Sequence, residues 1–240
     1  METPWFEKTG KKYALGIVHK ESVPMSWALS LRLTTLPSDC AILAQCHYGV
    51  DMARNNIVEL AIKGGVDRIL WLDSDVCPQP DAIMKLLNSP EPFISGVYYA
   101  KRDFDENKIC AWAYEEENGA YVTIVDEHDD SKVIVDAVGF GLVATDVDLF
   151  KKLKPPWFKY ESETYDKDGK KQKGVSEDFY FCRRAVNELG IHPVLDYGSR
   201  GSHLGSAEYT PHGKVIKPQL APQSQIERFK TMEEITDERS

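Results

Sequence analysis

Ile69-Leu70-Trp71-Leu72-Asp73-Ser74-Asp75 is an apolar strand that runs straight into two carboxylates separated by one residue. The strand, read over Asp67 to Leu72, is followed by Pro80, whose fixed φ suits the first turn of a helix through Leu87. The same alternation recurs on both sides. Upstream, Tyr13 to Val18 reads as a short buried strand and Ser26 to Leu33 as a helix by its apolar spacing. Ala41 to Ala44 is a second strand, and Ala53 to Ile62 is a helix stopped by Gly64-Gly65. Downstream, Pro92 to Tyr99 is a fourth strand. Strand–helix units of this length predict an α/β fold, a Rossmann-like parallel or mixed sheet with helices on both faces.

In such a sheet, ligands bind beyond the carboxyl ends of the strands, where Asp73 and Asp75 stand. Along an extended segment, residues i and i+2 point the same way. Both carboxylates can therefore face one hard, oxygen-seeking cation such as Mg²⁺ or Mn²⁺. Read without a ligand, the same acids simply start a turn and cap the helix after Pro80.

Of 240 residues, 29 are Lys or Arg and 38 are Asp or Glu, a net charge of −9. That balance argues against a protein whose task is to grip a nucleic-acid backbone, which needs clustered cations to neutralise phosphates. No apolar run approaches the ~20 residues of a bilayer span. The opening METPWFEKTGKK has no apolar core after its charges, so no signal peptide is expected. Five scattered cysteines with no C-x-x-C pair suit neither a disulfide framework nor a structural zinc site, and reduced thiols in a cytoplasmic setting are expected.

Beyond Ala100 the pattern changes. Ile109 to Tyr114 and Tyr121 to Val125 read as a hairpin turning at Asn118-Gly119. Val133 to Thr145 is strand-rich and holds Gly139-Phe140-Gly141, and Asp146 to Leu153 is a short helix ended before Pro155-Pro156. Lys159 to Gly174 is a polar, charged loop by composition. Ser176 to Leu189 is a helix closed by Gly190, and its Ser176-Glu177-Asp178 start combines an N-cap with first-turn acids. His192 to Leu195 is a strand, after which Gly201-Ser202-His203-Leu204-Gly205 reads as a histidine in a glycine-rich loop that can pass close to a ligand. A final helix is expected near Ser224 to Met232. There is neither an internal repeat nor a convincing linker.

In this order the pieces resemble the GT-A glycosyltransferases, above all the family-2-like nucleotide-sugar transferases. Asp73-Ser74-Asp75 is similar to the family's D-x-D motif, and Ala53-Arg54-Asn55 to its A-R-N segment. Gly139-Phe140-Gly141-Leu142 followed by Asp146 to Phe150 resembles its G-x-G strand and short helix. Glu177-Asp178 resembles its E-D motif, and His203 the late histidine that completes the metal site. The resemblance spans Tyr13 to Gly205. It implies a GT-A domain over 1–205, with a nucleotide-sugar half over about 13–100 and an acceptor half over 101–205, then an extension over 206–240.

The resemblance also implies an activity: metal-dependent transfer of a sugar, a hexose by expectation, from a nucleoside-diphosphate sugar to an acceptor hydroxyl. Asp75 would ligate Mn²⁺ or Mg²⁺ directly, with His203 as the second protein ligand. Asp73 would reach the metal through water or hold the ribose, and Arg54, Asp73, Ser74 and Asp75 would contact the nucleotide sugar. Asp178 would act as general base in an inverting single displacement, with Glu177 the second catalytic candidate, either as the less favoured base or as a contact to acceptor. Lys101 and Arg102 are further candidates for phosphate or acceptor, and the loop over 159–174 for a lid. The acceptor class (glycan, lipid-linked, small-molecule or protein) and a homo-oligomeric state stay open. So do a retaining outcome, a non-catalytic nucleotide-sugar-binding module, and a D-x-D phosphotransferase. The last would want Thr or Val where Cys77 stands.

The chain departs from the family at two turns. The first strand ends in Val18-His19-Lys20-Glu21 where a P-x-Y-N-type turn is usual, and the second runs Gln45-Cys46-His47-Tyr48 where D-D-x-S-x-D is common. Those turns normally hold base and ribose, so neither nucleotide nor sugar is specified by them.

Overall fold

The computed structural model of the chain describes residues 6–7, 10–46, 49–101, 108–117, 119–125, 129–162, 164–165, 171–172, 174–205, 208–210 and 213–215. Arg102, Asn118, the pair His47-Tyr48, residues 166–170 of the expected lid and the expected helix near 224–232 lie outside the described residues. The first part of the chain runs β1 (Phe6–Glu7), β2 (Tyr13–His19), α1 (Met25–Leu33), β3 (Leu36–Pro37), β4 (Cys40–Cys46), α2 (Val50–Gly64), β5 (Arg68–Asp73), β6 (Val76–Pro78), α3 (Ala82–Asn88) and β7 (Phe93–Val97). The second part begins with β8 (Lys108–Glu115), β9 (Ala120–Val125), β10 (Lys132–Ile134), β11 (Ala137–Val138), β12 (Leu142–Asp146) and α4 (Val147–Lys152). It closes with β13 (Thr164–Tyr165), β14 (Lys171–Gln172), α5 (Glu177–Leu189), β15 (Val194–Leu204), β16 (Glu208–Thr210) and β17 (Gly213–Val215).

The main sheet has the order β4-β2-β5-β12-β7-β15-β16-β17. The first three strands are parallel, as the alternating units predict. β12 makes the sheet mixed, within the expected class: it lies antiparallel between β5 and β7. The reason is its connection. A parallel neighbour needs a crossover, usually a helix, whereas β12 follows the short sheet β11-β8-β9 after only a few residues.

β5 is buried on both faces, which explains its continuous apolar run. Ile69 and Trp71 point to one side, where they meet α2, α4 and α5 in an aromatic core of Phe140, Phe150, Phe158 and Phe181. Leu70 and Leu72 point to the other, against Trp27 of α1 and Ile83 and Leu86 of α3. Helices thus cover both faces. Gly65 and Gly190 end α2 and α5 in the left-handed region, with φ of 63° and 67°, where glycine carries no Cβ penalty.

The region after Gly190 differs most from its sequence reading. The strand expected over His192 to Leu195 is an eleven-residue strand, β15, which continues through Leu204. His203 therefore sits on a strand and not in a glycine-rich loop. β6 pairs one edge of this stretch, with His203 opposite Val76, and β16 pairs the other, with His203 opposite Tyr209. The glycine belongs there for packing: a Cβ on Gly201 would come within 3.0 Å of the Cys77 carbonyl. All five cysteines are free. Among the described residues no helix is long and apolar enough to cross a membrane.

Candidate functional site

β5 delivers Asp73 at its last position, and Ser74-Asp75 form the turn into β6. The Trp27 indole N–H donates to the Asp73 carbonyl at 2.9 Å, fixing the strand end against α1. A cleft of about 730 Å³ opens here, lined among others by His19, Lys20, Glu21, Gly49, Asp73 and Asp75. The turn at which the chain departs from the GT-A pattern is therefore a wall of this cleft.

His203 reaches Asp75 from the far end of the sequence. Its Nδ1 lies 2.7 Å from the Tyr99 carbonyl, which can only accept, so Nδ1 donates and Nε2 is turned towards Asp75. Nε2 stands 3.4 Å from Asp75 Oδ1. In the neutral histidine both of these atoms are acceptors, and only a proton or a metal ion between them reconciles the pair. The other oxygen, Oδ2, takes a hydrogen bond from the Lys101 ammonium. Burial raises the Asp75 carboxyl, but the hydrogen bonds and charges of His203 and Lys101 outweigh it and hold the group at about 2.

Asp73 has a different neighbourhood. Arg54, from α2 and 3% exposed, places Nη2 3.2 Å from Asp73 Oδ1 and Nη1 3.4 Å from Glu177 Oε1. One guanidinium thus stands between the strand-end acid and the first acid of α5. Its plane lies over Phe140, 5.1 Å from the ring centre, as a cation–π contact. Its Nε and Nη1 have no hydrogen-bond partner among the described residues. Burial pushes Asp73 up to about 6, Asp75 and Glu177 adding to the rise while Arg54 and His203 oppose it. Glu177, 5% exposed, is likewise raised by burial, with Asp178 adding to this and Arg54 and the Tyr160 hydroxyl opposing.

Asn55, next on α2, does not face Asp73. Its side-chain amide donates to the Phe158 carbonyl at 2.8 Å and accepts from the Trp157 and Phe158 amides at 2.9 and 3.1 Å. It pins the segment that leads to Tyr160 and Glu161. Glu161 in turn bridges to Val175 just before α5. Asp178 accepts from the Ser176 hydroxyl and from the Phe179 amide through one oxygen, Oδ1.

The structure thus joins two groups, Asp75–His203–Lys101 and Asp73–Arg54–Glu177, at one strand end, with Asp178 beside the second. Two participants were not singled out by sequence. Tyr98, 4% exposed, accepts the Gly141 amide at 3.0 Å and packs edge-on to His203, ring centres 5.3 Å apart. Tyr99 supplies the carbonyl that orients His203. The usable signal was two tyrosines at a strand end paired with a Gly-x-Gly. Cβ atoms on Gly139 and Gly141 would fall 2.3 and 2.7 Å from Tyr98 atoms.

Asp75 Oδ1 and His203 Nε2 fit a hard divalent ion, a carboxylate with an imidazole of fixed tautomer. Among the described residues no group of three His, Cys, Asp or Glu side chains gathers around one point, so other ligands would have to come from a bound substrate or water.

No protein-family model matches the chain, and no curated protein matches it in sequence. Solved structures do. The protein A197 from STIV is 15% identical with a TM-score of 0.58, over 87% of this chain and 95% of that one. GalNAc-T7, crystallised with UDP, GalNAc and Mn²⁺, is 10% identical with a TM-score of 0.52 over 81% of this chain. The match takes in 44% of the GalNAc-T7 chain. At these identities the likeness is one of fold: the chain is a mixed α/β, Rossmann-like GT-A domain.

Proposed function

We propose that the protein is a metal-dependent glycosyltransferase that takes a sugar from a nucleoside-diphosphate sugar to an acceptor hydroxyl. The observation that carries this reading is the His203–Asp75 pair: an imidazole whose Nδ1 is held by the Tyr99 carbonyl turns its Nε2 to a carboxylate oxygen 3.4 Å away, at the strand end of the fold. The fold neighbour holding UDP, GalNAc and Mn²⁺ supports a nucleotide sugar as the ligand of the 730 Å³ cleft.

Asp75 and His203 would hold Mn²⁺ or Mg²⁺, whose chemistry is to neutralise the charge that gathers on the departing diphosphate. The chain's own groups would do the rest. Asp73, fixed by Arg54, and Ser74 would position the nucleotide sugar. Asp178 would take the proton of the acceptor hydroxyl as its oxygen bonds to the anomeric carbon. The bond from that carbon to the diphosphate breaks, its electron pair staying on the phosphoryl oxygen. Glu177 is committed to Arg54 and Tyr160, which suits a positioning role beside acceptor better than proton transfer. The engagement of Asp178 Oδ1 by Ser176 and Phe179 also favours a second reading, a nucleotide-sugar-binding module in which Asp178 only caps α5.

The test is thermal shift with UDP-, GDP- and dTDP-sugars. One donor should raise the melting temperature when Mn²⁺ is present and lose that effect in EDTA; equal shifts in both overturn the metal-dependent reading. Turnover of that donor by the wild type, abolished in Asp178→Asn with donor binding retained, separates the enzyme from the module.

A further inference from the structure

The two oxygens of Asp75 are divided between different partners. Oδ1 faces His203 Nε2, and Oδ2 is held by Lys101. Both partners depend on one short segment beyond β7. The Tyr99 carbonyl orients His203, and Lys101 lies two residues on. That segment is itself fixed, since Ala100 donates to the Lys108 carbonyl at 3.0 Å and Tyr99 bridges to Ile109 of β8. With Oδ2 held by Lys101, Oδ1 is the oxygen of Asp75 that a divalent ion would meet together with His203 Nε2. An ammonium has three donors, and Asp75 uses one. The Lys101 side chain is 34% exposed, and among the described residues Asp75 is the partner of its ammonium.

We propose that Lys101 is a second fixed cation for the donor diphosphate: it keeps Asp75 bound to the metal through one oxygen and donates N–H groups to the phosphate oxygens on which charge collects. The inference rests on the metal-dependent reading above and adds a residue to it. A charge-assisted contact of this kind strengthens with the charge offered, so a diphosphate should gain more from it than a monophosphate.

The experiment is calorimetric titration of wild type, Lys101→Met and Lys101→Arg with Mn²⁺ alone, then with UDP, UMP, GDP and GMP at saturating Mn²⁺. Lys101→Met should lose about tenfold in affinity for the diphosphate that wild type binds. Its affinity for Mn²⁺ alone should not fall, since a cation beside the ligand is removed. Its affinity for the matching monophosphate should fall less than that for the diphosphate, and Lys101→Arg should restore most of the loss. Three results overturn the inference. Tighter Mn²⁺ binding with unchanged diphosphate binding would make Lys101 a mere occupant of the metal's place. Equal losses for diphosphate and monophosphate would make it a prop of the cleft wall. No change in any titration would leave it without a role in binding. If wild type binds neither Mn²⁺ nor any nucleotide, the metal-dependent reading itself falls, and this inference with it.

Discussion

At the scale of single residues, Arg54 decides how two buried acids coexist. Removing water from Asp73 and Glu177 costs more than the facing charge returns, so both carboxyls stay above their ordinary values despite contacts of 3.2 and 3.4 Å. For Glu177 the consequence has a definite sign. A carboxyl raised above its ordinary 4.5 binds its proton more tightly in the folded than in the unfolded chain. Its stabilising contribution is complete below that value and drains away as pH rises through the folded one. Glu177→Gln cannot ionise, so its unfolding free energy should gain on that of wild type as pH climbs from 4.5 towards neutrality, read by urea unfolding at each pH. A gain by wild type over that window would mean that the Arg54 pairing outweighs burial. At this scale the positions of Asp73, Asp75 and Glu177 at a strand end and a helix start were legible, although turns and helix starts use such acids for themselves as well. The role of Arg54 was not, since an arginine on a helix face reads the same whether it is solvated or buried between two acids.

At the scale of elements, the parallel half of the sheet was open to reading strand by strand, whereas its mixed character was legible as a class and not by strand. β2, β5 and α2 carry apolar residues at their own periods, and Gly65 ends its helix as expected. β15 hides because close packing between β7, β6 and β16 demands small residues, and Gly198-Ser199-Arg200-Gly201-Ser202 has the composition of a loop. β12 hides its direction for another reason, as pattern shows burial but not polarity of the chain. The Gly-x-Gly ahead of β12 has a measurable job. Tyr98 lies against it, and a Cβ on Gly141 would stand 2.7 and 2.9 Å from the Tyr98 ring. Tyr98 is buried and edge-on to His203, so it cannot yield without disturbing the candidate metal pair. Gly141→Ala should therefore destabilise the protein by about 1–3 kcal/mol and weaken Mn²⁺ binding together with it. Gly64→Ala is the matched comparison: its new Cβ meets only Val66 Cγ2 at 3.8 Å, and it should hold wild-type stability and Mn²⁺ affinity. Denaturant titration and calorimetry on the two variants make the comparison. Equal behaviour would remove Tyr98 from the support of His203.

At the scale of the whole molecule, the site exists only because distant parts of the chain meet. Asp75 comes from the first, mostly parallel units, whereas Lys101 follows β7 and His203 comes from β15. No local window of sequence contains this set, which is why order and spacing of motifs carried more than any one of them. The net charge of −9 would not oppose the anionic donor proposed above, because a bound cation together with Lys101 would set the local potential. The sequence resemblance ends at Gly205, but the sheet does not: β16 adds to the edge of β15 opposite His203 and Leu204, and β17 adds to β16. A strand that carries a candidate ligand is held better as an interior strand than as an edge, where one ladder of hydrogen bonds is lost and the backbone frays. Truncation after Gly205 strips that ladder. The shortened chain should melt several degrees lower, at roughly 2–4 °C per kcal/mol for a domain of this size, and should bind Mn²⁺ more weakly than the full chain. Calorimetry and Mn²⁺ titration on the two lengths read both effects. Unchanged melting and unchanged Mn²⁺ affinity would instead establish 1–205 as a self-sufficient unit, with residues beyond it free for another task.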